Sequence, residues 1–276
     1  MPNRSARLVA WSNAVALGLA SPDLAATEVV GTDPPHRVVG LDAGLGPGPG
    51  TGAGLGVGVS TMSLPVLLAM VRRGGRATAR LALPAPGDPA GLPAADPVSV
   101  AALDAGEVAL LPDLSAADQR ASADAAWGLV PSVDEQGVVW TAYRTSGLLV
   151  TNGAESLSDA DHGLAQSLRE ATAVLDGLAA AAWTDQDADE LAALRSGRLD
   201  GDGLAPGYPE RAVSVLVRAR RLRTIVRLAS RDDGGALTAS AAATRMAALA
   251  PLDRAARHAE MAAYNAVADA RRQPPS

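Results

Sequence analysis

The pattern of apolar and polar positions in the first thirty residues predicts two helices. Apolar side chains recur at helical spacing over 4–20, which is typical of an amphipathic helix with one face in a core. Ser21 and Pro22 then match the cap and the first turn of a second helix, which ends near residue 30. We therefore expect the chain to open with a pair of short helices.

Short apolar runs farther along the chain predict strands over 36–41, 79–83 and 107–111. A helix that is apolar on nearly all sides is predicted over 63–73, between the first two strands, and a shorter one over 99–105. The order strand, helix, strand indicates a βαβ unit, whose two strands run parallel because the helix carries the chain back across the sheet.

Two further segments, 129–133 and 138–143, are rich in β-forming residues and flank a turn at Asp134–Gly137, which predicts a hairpin. Together these elements predict a mixed α/β fold. Its small mixed sheet should lie within 36–145 and contain the βαβ unit, with at least one right-handed parallel crossover, and the hairpin.

The second half of the chain carries helical patterns only. Ser158, Thr184 and Pro209 match helix starts, and Pro251 is expected to break or restart a last helix that runs to about Arg272. We therefore predict an α/β domain over 1–155. An all-helical domain should follow over 156–276 and pack against the first as one unit.

Composition changes this picture by removing several kinds of chemistry. The chain has no Cys, and its 24 basic residues are all Arg. Disulfides, thiolate nucleophiles, Schiff-base lysines and a phosphate-loop lysine are therefore excluded. There is no Phe, and Ile225 is the one Ile, so the core must be built from Ala, Leu and Val. Such small side chains fill space only where helices approach closely.

Charge and hydropathy indicate where the protein works. A net charge of −6 argues against nucleic-acid partners and anionic membranes. No segment has the length and unbroken apolarity of a membrane span. Arg4 and Arg7 before an apolar stretch could mark a signal peptide, but Ser12 and Asn13 interrupt that stretch, which favours the amphipathic helix. We therefore predict a cytoplasmic protein with no nucleic-acid or membrane partner.

A glycine-rich run occupies every second position from 44 to 58. Its even spacing is incompatible with the dinucleotide fingerprint, which needs glycines at offsets of two and five, and with the phosphate loop. We interpret the run as a flexible, low-complexity insertion, with an unusual anion site at the start of the next helix as the alternative. No cofactor is predicted.

The strongest candidate ligand site comprises Asp42, Gly87 and Asp88. Each aspartate follows a predicted parallel strand, and ligands of parallel sheets bind beyond the carboxyl ends of the strands. Prolines at 84, 86 and 89 would stiffen the second loop. The alternative is that Asp88 is a turn residue that caps its own loop, which we favour. No catalytic residue and no metal site is assigned, although an enzyme could hold a metal between Asp42 and Asp88.

An anion site is a weaker candidate. Arg220, Arg223 and Arg227 share one face of the helix that begins near 209 and could bind a phosphate or carboxylate. An internal salt-bridge network is the favoured alternative. His258 and Glu260 are interpreted in the same way, as part of a solvated ion-pair face of the last helix.

Three blocks of sequence resemble an actinobacterial protein family that has no assigned activity. They are Arg7–Asn13, Arg80–Leu92 and Pro251–Asn265. The resemblance covers most of the chain, but it implies no catalytic residues, and the even-spaced glycine run departs from the family pattern.

The functional prediction follows from what is missing as much as from what is present. With no recognised catalytic constellation, we expect a non-catalytic protein that binds a small molecule or regulates another process. One alternative is an enzyme that acts on a small polar substrate through Asp, Arg, Ser or Tyr. The other is a protein that forms homo-oligomers through its Ala-rich C-terminal helices.

Overall fold

The computed structural model describes residues 3–41, 61–74, 78–92, 96–114, 125–146, 155–175, 204–231 and 239–272. Asp42, the glycine-rich run and the predicted helix at Thr184 lie outside these residues. The chain divides into two compact units. One comprises Met1–Ala154 with Gly203–Gly207 and Ala270–Ser276, and the other comprises Glu155–Asp202 with Tyr208–Asp269.

Within the described residues, the first unit contains four helices: α1 (Arg4–Ala16), α2 (Pro22–Val30), α3 (Leu64–Arg73) and α4 (Pro97–Ala105). Local chemistry explains where they begin. The side chains of Asn3, Ser21 and Asp96 each accept a hydrogen bond from a backbone N–H of the first turn that follows. The predicted α2 is confirmed with its bounds, whereas α1 ends four residues earlier than predicted.

In the part of the chain that the structure describes, six strands form one sheet in the order β2-β1-β6-β5-β4-β3. They are β1 (His36–Val39), β2 (Thr61–Ser63), β3 (Arg80–Ala82), β4 (Val108–Pro112), β5 (Ala125–Asp134) and β6 (Gly137–Ser146). The mixed α/β class is confirmed. So is the hairpin, in which β5 and β6 pair antiparallel through ten residues each, from Ala125↔Ser146 to Asp134↔Gly137.

The predicted βαβ unit is wrong, because its two strands do not pair. β1 lies parallel to β6, with His36 opposite Val138, whereas β3 pairs antiparallel with β4 at the far edge of the sheet. Three strands separate β1 from β3. Apolar periodicity identifies a strand but not its neighbour, and here the long hairpin occupies the place beside β1. The parallel pair expected in the sheet is therefore β1 and β6.

Gly137 shows how the hairpin fits beside β1. Its φ is +131°, and a Cβ on it would lie 2.2 Å from the carbonyl oxygen of Pro35. The next residue, Val138, donates its backbone N–H to that same oxygen at 2.9 Å. A glycine is thus required where the turn of the hairpin meets the residue before β1.

Helices are the regular secondary structure of the second unit wherever the structure describes it. It contains α5 (Leu157–Leu175), α6 (Glu210–Arg231) and most of α7 (Ala239–Arg272). Its core is rich in alanine: of the twelve buried residues of one cluster in the described helices, six are Ala, and Leu and Val supply the others. Such small residues allow close helix packing.

Pro251 does not end the last helix, contrary to the prediction from sequence. α7 continues through it from Ala239 to Arg272. A proline removes one helical hydrogen bond, because it has no N–H to donate to the carbonyl of Ala247. Leu249 and Leu252, on either side, are buried in the helical core, and this packing holds the helix together across the interruption. None of the described helices is long and apolar enough to cross a membrane.

Candidate functional site

A cleft of about 280 Å³ lies between α5 and the middle of α7, entirely within the helical unit. Its walls combine an acid, two basic side chains and a hydroxyl with small apolar residues. The lining residues are Glu155, Ala160, Gly163, Ser167, Pro251, Arg254, Ala255 and His258. Among the described concavities, this one brings the most varied chemistry together.

Small residues leave this space between the two helices. Ala160 and Gly163 lie one turn apart on α5, and Pro251 and Ala255 lie one turn apart on α7. A Cβ built on Gly163 would meet just one atom within 4 Å, the Oε1 of Glu155 at 3.7 Å. The cleft is therefore open at the position where a larger side chain would fill it.

The polar lining of the cleft includes an anionic side chain, Glu155, a cationic one, Arg254, and the imidazole of His258. Oε2 of Glu155, just before α5, lies 3.6 Å from Nδ1 of His258 on α7. Arg254 precedes His258 by four residues and so lies on the same face of α7. The side chain of His258 is 25 % exposed and that of Glu155 is 38 % exposed. A ligand that enters from solvent thus meets both a cationic and an anionic wall.

A second concavity lies between α2 and α3 in the first unit. It has a volume of about 630 Å³ and is lined by Pro22, Pro65, Val66, Ala69, Arg72 and Arg73. The lining is apolar except for the two arginines, and it contains no acid or hydroxyl. It therefore has fewer kinds of polar group that could select a ligand than the cleft in the helical unit.

Gly87 and Asp88 form a tight turn. Ala85 and Asp88 exchange both backbone hydrogen bonds, at 2.8 and 3.0 Å, around Pro86 and Gly87. Gly87 has a φ of +76°, which suits the third position of a type II turn. Neither of the two concavities above is lined by these residues. Asp42, the expected partner of Asp88, lies outside the described residues.

The arginines of α6 contact acids of the same unit. Nη1 of Arg223 donates to Oε2 of Glu260 at 2.5 Å, and Nε of Arg220 donates to the other oxygen at 3.5 Å. Arg220 also donates to the hydroxyl of Tyr264 at 2.5 Å. Arg227 is exposed on the same helix. Arg220 and Arg223 are thus engaged in an internal network.

Glu260 does not belong to a solvated ion-pair face, so that interpretation of the sequence is wrong. Its side chain is 3 % exposed and is held by Arg220 and Arg223. His258 lies two residues away on α7 and so points in a different direction, towards Glu155. The two residues share a segment of sequence but not a surface.

A polar cluster near the start of the chain was not anticipated. Asp33, after α2, accepts from Nε of Arg4 at 3.0 Å and also bonds Arg7. Burial would raise the pKa of Asp33, but the hydrogen bonds and charges of Arg4 and Arg7 outweigh it and hold the pKa below its usual value. The cluster ties α1 to the segment that follows α2.

His36, at the start of β1, extends this cluster into the core. Its Nδ1 accepts from the indole N–H of Trp140 at 3.3 Å, which leaves its proton on Nε2, 3.6 Å from Asp33. The His36 side chain is fully buried. Burial, with help from Arg7 and Arg4, lowers the pKa of His36 despite the opposing charge of Asp33. His36 is therefore a neutral core histidine.

The residues of the cleft carry no local signal that sequence analysis could have used. Glu155, Ser167 and Arg254 lie in three ordinary helical or pre-helical contexts, and His258 was assigned to an ion-pair face with Glu260. The proline within α7, four residues before Ala255 and seven before His258, is the one irregular feature nearby. Among the described residues, no group of three or more His, Asp or Glu side chains could hold a metal ion.

Comparison with protein-family models gives two adjacent matches. The model for the N-terminal domain of Rv1486c-like proteins matches residues 5–155, and the model for their C-terminal domain matches residues 158–261. No curated protein and no solved structure matched the chain. The N-terminal model alone covers more than half of the sequence. The chain therefore belongs to the family of Rv1486c-like proteins.

Proposed function

We propose that this protein is a non-catalytic binding or regulatory protein and that it holds a small polar molecule in the cleft between α5 and α7. The observation that carries the proposal is the composition of the cleft. Glu155, Ser167, Arg254 and His258 line one space together with small apolar residues. Small-molecule sites are typically concave, with an apolar lining and a few convergent polar groups that orient the ligand.

Gly163 supplies the variant that tests this proposal. A Gly163→Leu side chain has room at its Cβ and extends into the cleft, so it should exclude a ligand while the helix is retained. Gln166→Leu, on an exposed position of the same helix, is the matched control because Gln166 does not line the cleft.

The measurement is a thermal-shift screen of the whole protein against metabolites, nucleotides and metal ions. A compound that binds only the folded state raises the melting temperature. We expect at least one compound to stabilise the unmodified protein and the Gln166→Leu variant but not Gly163→Leu. The proposal fails if nothing in the screen shifts the melting temperature, or if the shift survives unchanged in Gly163→Leu.

An enzyme is the second candidate, and one observation favours it. Ser167, His258 and Glu155 line the same cleft, and these are the residue types of a hydroxyl nucleophile, its base and the group that orients the base. Treatment with a fluorophosphonate, followed by peptide mass spectrometry, separates the two functions. Covalent labelling at Ser167 that is lost in His258→Gln would establish the enzyme, whereas a binding protein leaves Ser167 unlabelled.

Three further expectations from the sequence stay predictions. Self-association through the C-terminal helices would use exposed apolar residues such as Ile225 on α6 and Met246 on α7, and sedimentation velocity would detect it. Cytoplasmic location would be tested by fractionation of the host cell. The actinobacterial origin would be tested by the taxonomic spread of the family.

A further inference from the structure

We infer that the cleft between α5 and α7 takes a small zwitterion, that is, a molecule of amino-acid size with one carboxylate and one ammonium group. This inference rests on the proposed function, since it names the class of ligand for the same site. It is carried by the arrangement of charge across the cleft and by the size of the cleft.

The cationic wall is Arg254 on α7, and the imidazole of His258 lies beside it. Arg254 and His258 are one helical turn apart, so both face the cleft from the same side of the helix. A guanidinium can hold a carboxylate through two parallel N–H donors, and a histidine can add a further donor. Ser167, on α5, offers a hydroxyl that can donate to the same carboxylate.

The anionic wall is Glu155, which precedes α5. Its Oε2 is 3.6 Å from Nδ1 of His258, which lies one helical turn from Arg254, so Glu155 and Arg254 border one space of small-molecule size. A carboxylate is an acceptor for the three N–H donors of an ammonium group. A ligand with only a negative charge would leave Glu155 facing that charge, and a ligand with only a positive charge would face Arg254. A zwitterion satisfies both walls at once.

The apolar part of the lining limits what the rest of the ligand can be. Ala160, Gly163, Pro251 and Ala255 present no polar side-chain atom, so they suit an aliphatic group. The volume of about 280 Å³ is near the lower end for ligand pockets, which favours a molecule of amino-acid size over a nucleotide. An amino acid with a short aliphatic side chain has the required charges, shape and size.

Titration calorimetry with three related probes tests this inference. The probes are leucine, the carboxylic acid that lacks its amino group and the amine that lacks its carboxyl group, with the other free amino acids as a wider panel. We expect leucine, or another aliphatic amino acid of the panel, to bind at least about tenfold more tightly than the corresponding acid or amine, as expected for loss of one charged hydrogen-bond partner.

Two substitutions test which residue binds the carboxylate of the ligand and which binds its ammonium group. Arg254→Gln should weaken the amino acid and the acid alike by about tenfold, whereas Glu155→Gln should weaken only the amino acid. Arg169→Gln and Glu170→Gln, on exposed positions of α5 outside the cleft, are the matched controls and should leave binding unchanged. Equal effects of Glu155→Gln on the amino acid and the acid would overturn the assignment of the ammonium group.

The outcomes separate this inference from the proposed function. If the broad screen yields a ligand that depends on Gly163 but is not a zwitterion, the class of ligand named here is wrong and the binding function stands. If neither the amino acids nor any compound of the broad screen binds, both fail. If an amino acid binds Gly163→Leu as tightly as the unmodified protein, it does not bind in this cleft. Both the proposed function and the class of ligand inferred here are then wrong.

Discussion

The side-chain amide of Asn13 bonds both backbone groups of Ala79. Its Oδ1 accepts from the N–H of Ala79 at 2.7 Å, and its Nδ2 donates to the carbonyl of Ala79 at 3.2 Å. Both contacts are buried. Asn13 thus acts in α1 as a neighbouring strand would, because it satisfies backbone groups just before the edge strand β3 that would otherwise be buried without partners.

Asn13→Ala is expected to destabilise the protein by about 2 to 4 kcal/mol, since it leaves two buried backbone groups unpaired. Asn13→Asp should be no better than Asn13→Ala, because it loses the donor to the Ala79 carbonyl and buries a carboxylate beside that oxygen. Urea unfolding followed by circular dichroism measures the change. Glu28→Ala, on the exposed side of α2, is the control and should change stability by less than about 0.5 kcal/mol. A loss of similar size in both proteins would contradict the role of Asn13.

The second prediction concerns pH and His36. Because burial lowers the pKa of folded His36 below 6.5, the unfolded chain takes up a proton first as the pH falls. The free energy of unfolding should therefore fall as the pH drops from 6.5 to the folded-state pKa. Below that pKa, His36 should cause no further loss of stability.

The variant His36→Asn removes this titration while it keeps a side chain that can accept from Trp140. Its free energy of unfolding, measured in urea between about pH 7 and 5, should depend on pH less steeply than that of the unmodified protein. His162→Asn, exposed on α5, is the control. An unchanged slope in His36→Asn would show that His36 does not titrate differently in the two states.

The third prediction concerns Glu107, whose contribution to the free energy of unfolding should depend on pH in the opposite direction. Burial raises its pKa above the usual 4.5, although the backbone N–H of Ser5 donates to its Oε2 at 2.7 Å. The folded state therefore holds the proton more tightly, so the contribution of Glu107 to stability is full below pH 4.5 and is lost as the pH rises through the folded-state pKa.

Glu107→Gln retains the shape and the acceptor for Ser5 but removes the charge. Relative to the unmodified protein, it should gain stability as the pH rises above 4.5, because it no longer buries a carboxylate. Parallel urea titrations at several pH values measure this difference. Glu135→Gln, in the exposed turn of the hairpin, provides the comparison. A Glu107→Gln variant that loses stability as the pH rises would reverse the predicted sign.

The fourth prediction concerns the contact between α4 and the sheet. A Cβ on Gly128 of β5 would lie 2.3 Å from Cγ2 of Val98, so Gly128→Ala forces the Val98 side chain or one of the two elements to shift. We expect a loss of about 1 to 3 kcal/mol. Adding Val98→Ala removes the atom that clashes, and the double variant should lose less than the sum of the two single losses. Additive losses would show that α4 does not press on Gly128.

Several elements could be predicted from the sequence because their signals are local. Ser21 accepts from the backbone N–H of Leu24, three residues on, so its position before Pro22 was enough to define the start of α2. The hairpin turn could likewise be placed between Val133 and Val138, because a turn depends on the residues that form it. The Cys-free and Lys-free composition limited the possible chemistry in the same direct way.

The tertiary structure alone decided which distant segments meet. β1 pairs with β6, about a hundred residues away, because strand periodicity does not encode a partner. α7 continues through Pro251 because core packing on either side compensates for one missing hydrogen bond. The cleft exists because α5 and α7 bring Glu155 and His258 together, and no local pattern records a contact between residues that are so far apart in the chain.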